Sequence, residues 1–169
     1  MNGRTRRMNM FVGWTLTGIR VALGIFWLLQ LEWKPPPTFG CPGAGFCFWL
    51  DQEIQYPLIP LYADFLSAVV RPNAILVGWV TTLVEVAIGL SFVFGVLTRL
   101  GGLVGTLWSL NLLIGLAVVP NEQPYYYMLM ILLNLVFFVI GASGQFSVDR
   151  ARHWRIWWGH AEPSISGIA

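Results

Sequence analysis

Residues 73–97 have the sequence NAILVGWVTTLVEVAIGLSFVFGVL, in which Glu85 is the only charged side chain. A helix that crosses the hydrocarbon core of a bilayer needs about 20 mostly apolar residues, and this stretch is long enough. A charged side chain at the centre of such a helix costs about 2.5–3.5 kcal/mol on insertion scales, so Glu85 needs a partner or a function. The stretch therefore predicts a membrane-spanning helix with a polar site near its middle.

The same criterion finds three further spans in the chain. Residues 9–31 contain one charge, Arg20, whereas residues 100–119 and residues 124–141 contain none. The composition agrees, because 56% of the 169 residues are hydrophobic and only 11% are charged, against about 25% charged in soluble domains. We expect an all-α fold, a polytopic membrane bundle of four transmembrane helices that forms a single domain over residues 1–150. The net charge of +2 does not indicate nucleic-acid binding.

Basic residues near the ends of the spans predict the orientation of the bundle. If the chain crosses four times, seven arginines fall on one side, and the opposite side has only Lys34 and Arg71. Since basic residues are concentrated on the cytoplasmic side of membrane proteins, we expect both termini in the cytoplasm and the loop of residues 32–72 outside a plasma or inner membrane. Residues 151–169 are expected to form an amphipathic cytoplasmic tail. The seven arginines are Arg4, Arg6, Arg7, Arg99, Arg150, Arg152 and Arg155.

Each predicted span contributes one polar side chain to a layer that we expect near the middle of the membrane. Arg20 and Glu85 lie at similar distances from the inner ends of their helices, so we expect them to form a pair. Asn111 and Asn134 each lie about ten residues from the start of their spans and complete the layer. Two interpretations stay open: an ion pair that holds the helices in register, or a site for a quinone headgroup, a proton or a small anion.

The loop of residues 32–72 carries two cysteines and a short amphipathic segment. Cys41 and Cys47 are the only cysteines of the chain, and they lie on the side of the membrane where disulfides form. A structural disulfide, two idle thiols and a redox-active dithiol are all possible, and the lack of Cys-x-x-Cys spacing disfavours the last. Residues 58–70 repeat apolar side chains at helical spacing, which predicts a short amphipathic helix on the outer surface of the bundle.

Ligand sets for the common redox cofactors are missing from the sequence. The only histidines, His153 and His160, lie in the tail, and two cysteines are too few for an iron–sulfur cluster. No zinc ligand set, dinucleotide-binding fingerprint or phosphate-binding loop is visible. We therefore expect no haem, iron–sulfur cluster or metal to be bound by this chain alone. A redox role would depend on quinone, a dithiol or cofactors in another subunit.

An ordered set of short motifs resembles the DoxX/DoxD-like family of membrane proteins. The segment Trp33-Lys34-x-Pro36-Pro37 is similar to the DoxD branch in particular, and the resemblance covers roughly residues 10–150. The other motifs are Ile19-Arg20-Val-Ala-Leu-Gly24, Glu85-Val-Ala-Ile-Gly89, Gly95-Val-Leu-Thr98-Arg99 and Gly144-Gln-Phe-Ser147-Val-Asp149.

The resemblance implies a four-helix membrane bundle. In the DoxD branch it implies the large subunit of a thiosulfate:quinone oxidoreductase, which acts with a DoxA partner. With that function, Arg20 and Glu85 would be the catalytic residues that bind and protonate the quinone headgroup. Asn111 and Asn134 would contribute to the quinone site.

The outer surface and the partners follow from the same resemblance. Lys34 and Arg71 would attract an anionic electron donor such as thiosulfate from outside. Other members of the family are membrane components of redox or thiol-stress complexes without a settled activity. The alternative function is therefore a non-catalytic accessory subunit of a larger respiratory or photosynthetic membrane complex, and a small-molecule transporter is a third possibility. The expected partners are the lipid bilayer and other membrane-protein subunits.

Overall fold

Six α-helices account for most of the chain in the computed structural model, which describes the backbone of residues 3–141 and the side chains of residues 10–141. No strand occurs in that range, so the all-α prediction is confirmed. The predicted motif of residues 144–149 and the predicted tail of residues 151–169 lie outside the described residues. The helices are α1 (Gly3–Leu29), α2 (Gly45–Gln55), α3 (Pro60–Phe65), α4 (Ala74–Phe94), α5 (Thr98–Leu116) and α6 (Pro124–Ile140).

Three helical stretches of the described chain are long and apolar enough to cross a membrane. They are Met10–Leu29, Pro60–Phe94 and Thr98–Leu116. The fourth predicted span corresponds to α6, which is apolar but has only 17 residues. The closest helix pairs are α5 with α6 and α1 with α4, and α4 contacts α5 less extensively. Large apolar side chains such as Leu83 and Leu107 are exposed on the outside of the bundle, as a surface that faces lipid requires.

The segment that leads into α4 is continuous helix rather than a separate surface helix. After α3 the chain passes through a π-helical turn, Leu66–Val70, and a 3₁₀ turn, Arg71–Asn73, directly into α4. The helix predicted over residues 58–70 is thus present from Pro60 onward, but it continues into α4 instead of ending before it. The wider π turn also changes which side chains face inward. Leu66 and Val70 are buried, whereas Phe65 and Val69, which belong to the same apolar repeat, are about half exposed.

Two glycines set the register between α1 and α4. A Cβ atom on Gly24 would lie 2.8 Å from the carbonyl oxygen of Gly89 and 2.8 Å from the backbone nitrogen of Val93. A Cβ atom on Gly89 would lie 2.7 Å from the side chain of Leu28. Small residues let helix backbones approach closely where lipid removes the hydrophobic drive for association. The pair of glycines therefore sets how far α1 is shifted along α4.

The outer loop folds back onto α4 instead of leading away from the bundle. Phe39 has no exposed surface, and its ring packs so closely on Gly78 that a Cβ atom there would lie 2.6 Å from it. The same ring meets Trp79 edge-on, with 5.2 Å between the ring centroids. The loop therefore covers the outer half of α4.

Helix α2 adds a second layer over the junction of α3 and α4. Cys47 and Leu50 of α2 are buried together with Leu66, Val70 and Ala74. The sequence analysis predicts a loop here, and the structure has a helix; apolar residues at Phe46, Cys47, Leu50 and Ile54 have the helical spacing that indicates it. An 11-residue helix is too short to span a membrane, so a search for spans alone does not find it.

Candidate functional site

A buried ion pair links the outer loop to the middle of α4. Lys34 Nζ lies 2.6 Å from Glu85 Oε1, and the two side chains are only 2% and 3% exposed. Burial lowers the pKa of Lys34, and the adjacent carboxylate opposes this effect. Lys34 follows α1 by only five residues, and the loop after it turns inward, so its ammonium group points into the bundle. Lys34 is thus not available at the outer surface, where the sequence predicted an attraction for an anionic donor.

The predicted pair between Arg20 and Glu85 is wrong, because the partner of Glu85 is Lys34. Gly24 and Gly89 lie side by side on the antiparallel helices α1 and α4. Arg20 lies four residues from Gly24 toward the start of α1, and Glu85 lies four residues from Gly89 toward the start of α4. With a rise of 1.5 Å per residue, the Cα atoms of Arg20 and Glu85 are about 12 Å apart along the bundle axis. Arg20 is itself buried, at 1% exposure, but at a different depth.

Two buried polar atoms that face each other, one on Glu85 and one on Trp108, have no hydrogen-bond partner among the described residues. Glu85 Oε2 is one, and Trp108 Nε1, which faces this carboxylate without reaching hydrogen-bonding geometry, is another. Thr82 Oγ1 on α4 and Ser109 Oγ on α5 are also buried and unsatisfied. Because most buried polar groups in proteins are hydrogen-bonded, the Glu85 carboxylate and the Trp108 indole mark a place where a polar ligand gains interactions that the protein itself does not provide.

An apolar groove lies between α4 and α5. Its volume is about 580 Å³, and its walls are formed by both helices and the turn between them. Val84, which precedes Glu85, and Val104, which lies one helical turn before Trp108, line one end of it. The groove therefore begins at the helical turns that carry Glu85 and Trp108, neither of which lines it, and extends toward the α4–α5 turn.

The two predicted amide ligands are engaged by other parts of the protein. Asn134 Oδ1 accepts a hydrogen bond from Trp27 Nε1 at 3.3 Å, and its Nδ2 donates to the carbonyl oxygen of Met130 at 2.7 Å. Asn111 Oδ1 accepts a hydrogen bond from the hydroxyl of Tyr62 at 3.1 Å. Glu85, Asn111 and Asn134 thus have different partners, and the single four-residue layer predicted from the sequence is not assembled in this way.

A second polar cluster, which the sequence analysis missed, surrounds Glu53 of α2. Its carboxylate oxygen Oε2 lies 3.5 Å from the Tyr62 hydroxyl, and its carboxyl group packs on Gly115, where a Cβ atom would lie 2.5 Å away. Burial raises the pKa of Glu53 from 4.5 to about 7, although the contact with Tyr62 acts in the opposite direction. The available signal was a single acidic residue next to Ile54 within the apolar repeat of α2.

The turn that leads into α4 carries an arginine beside the two cysteines. Arg71 forms a bidentate ion pair with Asp51, with Nε 2.6 Å from Oδ1 and Nη2 3.0 Å from Oδ2. Its Nη1 donates to Cys47 Sγ at 3.3 Å, and Cys47 is joined to Cys41 by a disulfide. The charge of Arg71 is therefore already balanced by Asp51. Within the described residues, no group of three or more His, Cys, Asp or Glu side chains comes together as a metal site.

Comparison with known proteins identifies the family. The family model described as "TQO small subunit DoxD" matches residues 55–155, more than half of the chain, and the match includes Arg71, Glu85 and all of α4, α5 and α6. The description names a small subunit, whereas the resemblance of the motifs implied the large one. Comparison with curated proteins and with solved structures gave no match. The chain therefore belongs to the DoxD family of membrane proteins.

Proposed function

We propose that this chain is the quinone-binding membrane subunit of a thiosulfate:quinone oxidoreductase. The family description and the apolar helices support a membrane subunit of such an enzyme. One observation carries the site: a buried carboxylate, Glu85, keeps one unsatisfied oxygen that faces the unsatisfied indole N–H of Trp108 near the end of an apolar groove.

The residues present fit a quinone. A quinone has carbonyl oxygens that accept hydrogen bonds, and the Trp108 indole N–H is a buried donor without an acceptor among the described residues. The groove has the size of a ligand pocket, typically about 300–1,000 Å³, and its apolar walls suit an isoprenoid chain. The proposed arrangement has the headgroup at Glu85 and Trp108 and the chain between α4 and α5.

The residues of this chain would bind the headgroup and move protons. Reduction of a bound quinone consumes two electrons and two protons, and the electrons would come from thiosulfate through a partner subunit of the DoxA type. Trp108 donates a hydrogen bond to a carbonyl oxygen. The Lys34–Glu85 pair would supply one of the two protons, from Lys34 Nζ through the Glu85 carboxylate, and the second proton and the one that recharges Lys34 would come from water. Since burial lowers the pKa of Lys34, its ammonium group gives up a proton more readily than an exposed lysine does.

The membrane arrangement is part of the proposal. Four crossings, with α6 as the fourth, leave both termini in the cytoplasm and the Lys34 loop outside the plasma or inner membrane. The loop seals the proton-carrying pair from the outer medium, because the buried Phe39 ring covers α4 above it. Arg20, Asn111, Asn134 and Arg71, which were candidates from the sequence, have no assigned part in this site.

The test uses the native complex purified in mild detergent, with thiosulfate as donor and a soluble quinone as acceptor. Glu85→Gln and Trp108→Phe are compared with Glu32→Gln, which removes an exposed carboxylate two residues before Lys34. We expect Glu85→Gln to lower quinone reduction at least tenfold, since loss of a positioned proton donor costs about 10²–10⁴-fold. Trp108→Phe should raise the KM for quinone, and Glu32→Gln should leave both constants unchanged.

The alternative function, a non-catalytic accessory subunit, predicts a different result in the same experiment. Full activity in a Glu85→Gln complex that retains all its subunits would contradict the proposal. Loss of activity that goes together with loss of assembly in size-exclusion chromatography would indicate that the Lys34–Glu85 pair serves the structure of the complex.

A further inference from the structure

The Cys41–Cys47 disulfide is asymmetric in its surroundings. Cys47 has no exposed surface, and it lies in the first turn of α2, which begins at Gly45. Cys41 lies in the loop before the helix and is partly exposed. Of the two cysteines, only Cys41 has exposed surface through which a nucleophile from the outer medium can approach the disulfide.

A cation lies beside the buried sulfur. Arg71 Nη1 donates a hydrogen bond to Cys47 Sγ at 3.3 Å. Asp51 holds the guanidinium in place through two bonds, from Nε and from Nη2. A neighbouring arginine and a position near the start of a helix both stabilise a thiolate. If the disulfide opens, the negative charge is therefore more stable on Cys47 than on Cys41.

We propose that the Cys41–Cys47 disulfide is a thiol-exchange site that accepts electrons from low-molecular-weight thiols at the outer face of the membrane. A thiolate attacks Cys41 Sγ and forms a mixed disulfide with it. The Cys41–Cys47 bond breaks, and its electron pair stays on Cys47 as a thiolate beside Arg71. A second thiolate attacks the outer sulfur of the mixed disulfide, which forms a small-molecule disulfide and releases Cys41 as a thiolate.

The site has the features that thiol exchange requires. The sulfur under attack must be reachable, and the sulfur that leaves must form a stable thiolate. Exposure of Cys41 meets the first condition, and Arg71 meets the second. Reduction leaves α2 anchored, because Leu50 is buried against Leu66 independently of the disulfide. The inference rests on the membrane orientation proposed above, but the quinone site uses neither cysteine, so failure of quinone reduction and failure of thiol exchange are distinguishable.

The first experiment measures the equilibrium with glutathione. The full-length protein in lipid nanodiscs is incubated in mixtures of reduced and oxidised glutathione, quenched with acid and labelled with a maleimide of high mass, so that the reduced fraction is read on a gel. We expect Arg71→Gln to lower the equilibrium constant for reduction on the order of tenfold, and Arg71→Lys to restore most of it. Equal constants in all three proteins would overturn the proposal.

The second experiment identifies the attacked sulfur. Cys47→Ser should retain glutathione as a mixed disulfide on Cys41 after exposure to oxidised glutathione, whereas Cys41→Ser should react more slowly, because Cys47 is buried. In Cys41→Ser, the Cys47 thiolate absorbance near 240 nm should appear at lower pH than in Cys41→Ser/Arg71→Gln. Faster labelling of Cys47 than of Cys41, or loss of helical circular dichroism when wild type is reduced, would assign the bond a structural role only.

Discussion

Lys34 Nζ lies 2.6 Å from Glu85 Oε1, so a loop residue neutralises the charge in the middle of a membrane-spanning helix. Neither side chain is accessible to solvent, and burial of either charge alone is costly. The outer loop and α4 therefore depend on each other: Glu85 is tolerated as a carboxylate because the loop brings Lys34 to it. In this protein the loop does more than connect two helices, because it supplies the partner of a buried charge.

Removing one member of this pair should destabilise the protein more than removing both. Lys34→Met leaves an uncompensated buried carboxylate, and we expect a loss of about 3–5 kcal/mol. Lys34→Met/Glu85→Leu removes both charges and should be closer to wild type in stability. The measurement is unfolding by SDS titration in mixed micelles, followed by circular dichroism. A double variant that is less stable than the Lys34 single variant would contradict this account.

The contact between α1 and α4 predicts opposite effects for two glycine substitutions in the same helix. A Cβ atom at Gly24 would lie 2.8 Å from backbone atoms of Gly89 and Val93, so Gly24→Ala must push the helices apart. We expect a loss of about 1–3 kcal/mol, the range for overpacking. Gly18 meets nothing within 4 Å, so Gly18→Ala should be neutral or gain up to about 1 kcal/mol from helix propensity. The same SDS titration measures both, and equal effects would show that close approach at Gly24 is unimportant.

The sequence predicted the helices well because the membrane imposes a length and a composition on each span. The predicted spans 73–97 and 100–119 overlap the observed α4 (Ala74–Phe94) and α5 (Thr98–Leu116), with differences of one to three residues at their ends. The sequence prediction failed where side-chain packing between elements determines the structure. The π turn at Leu66–Val70 changes the inward face of that segment, and no periodicity rule signals it.

Of the buried ion pair, the sequence predicted Glu85 but not its partner Lys34. Glu85 was found because a charge in an apolar helix is conspicuous, whereas its partner was assigned by depth along each helix alone. Depth depends on the register between α1 and α4, which is set by the contact of Gly24 with Gly89. The true partner, Lys34, lies in a loop that folds back into the bundle, and a count of residues along the spans does not reveal such a return.

The buried ring of Phe39 predicts that the loop contributes to stability. Phe39→Ala removes a side chain with no exposed surface, which fills the space at Gly78. Loss of a buried phenylalanine costs about 3–5 kcal/mol. Phe48→Ala is the matched control, because Phe48 of α2 is 44% exposed and its truncation should cost far less. Similar unfolding midpoints for the two variants would mean that the loop does not pack on α4 in solution.

The buried carboxyl of Glu53 predicts that stability falls as pH rises. Its pKa is raised from 4.5 to about 7 in the folded protein, so the folded state holds this proton more tightly than the unfolded state does. The contribution is fully present below pH 4.5 and is lost as pH rises through 7. The loss is no more than about 3 kcal/mol.

Glu53→Gln isolates this contribution, because glutamine has the same shape and does not titrate. Wild type should lose stability between pH 5 and pH 8, and Glu53→Gln should lose less. The stability of the variant relative to wild type should therefore be higher at pH 8 than at pH 5. Its amide can still contact the Tyr62 hydroxyl, which is held by Asn111. Thermal unfolding of both proteins at several pH values in the same detergent is the measurement, with the exposed Glu32→Gln as control. If wild type and Glu53→Gln have parallel pH profiles, Glu53 is ionised in the folded protein throughout this range, and its carboxylate must have a better partner than Tyr62.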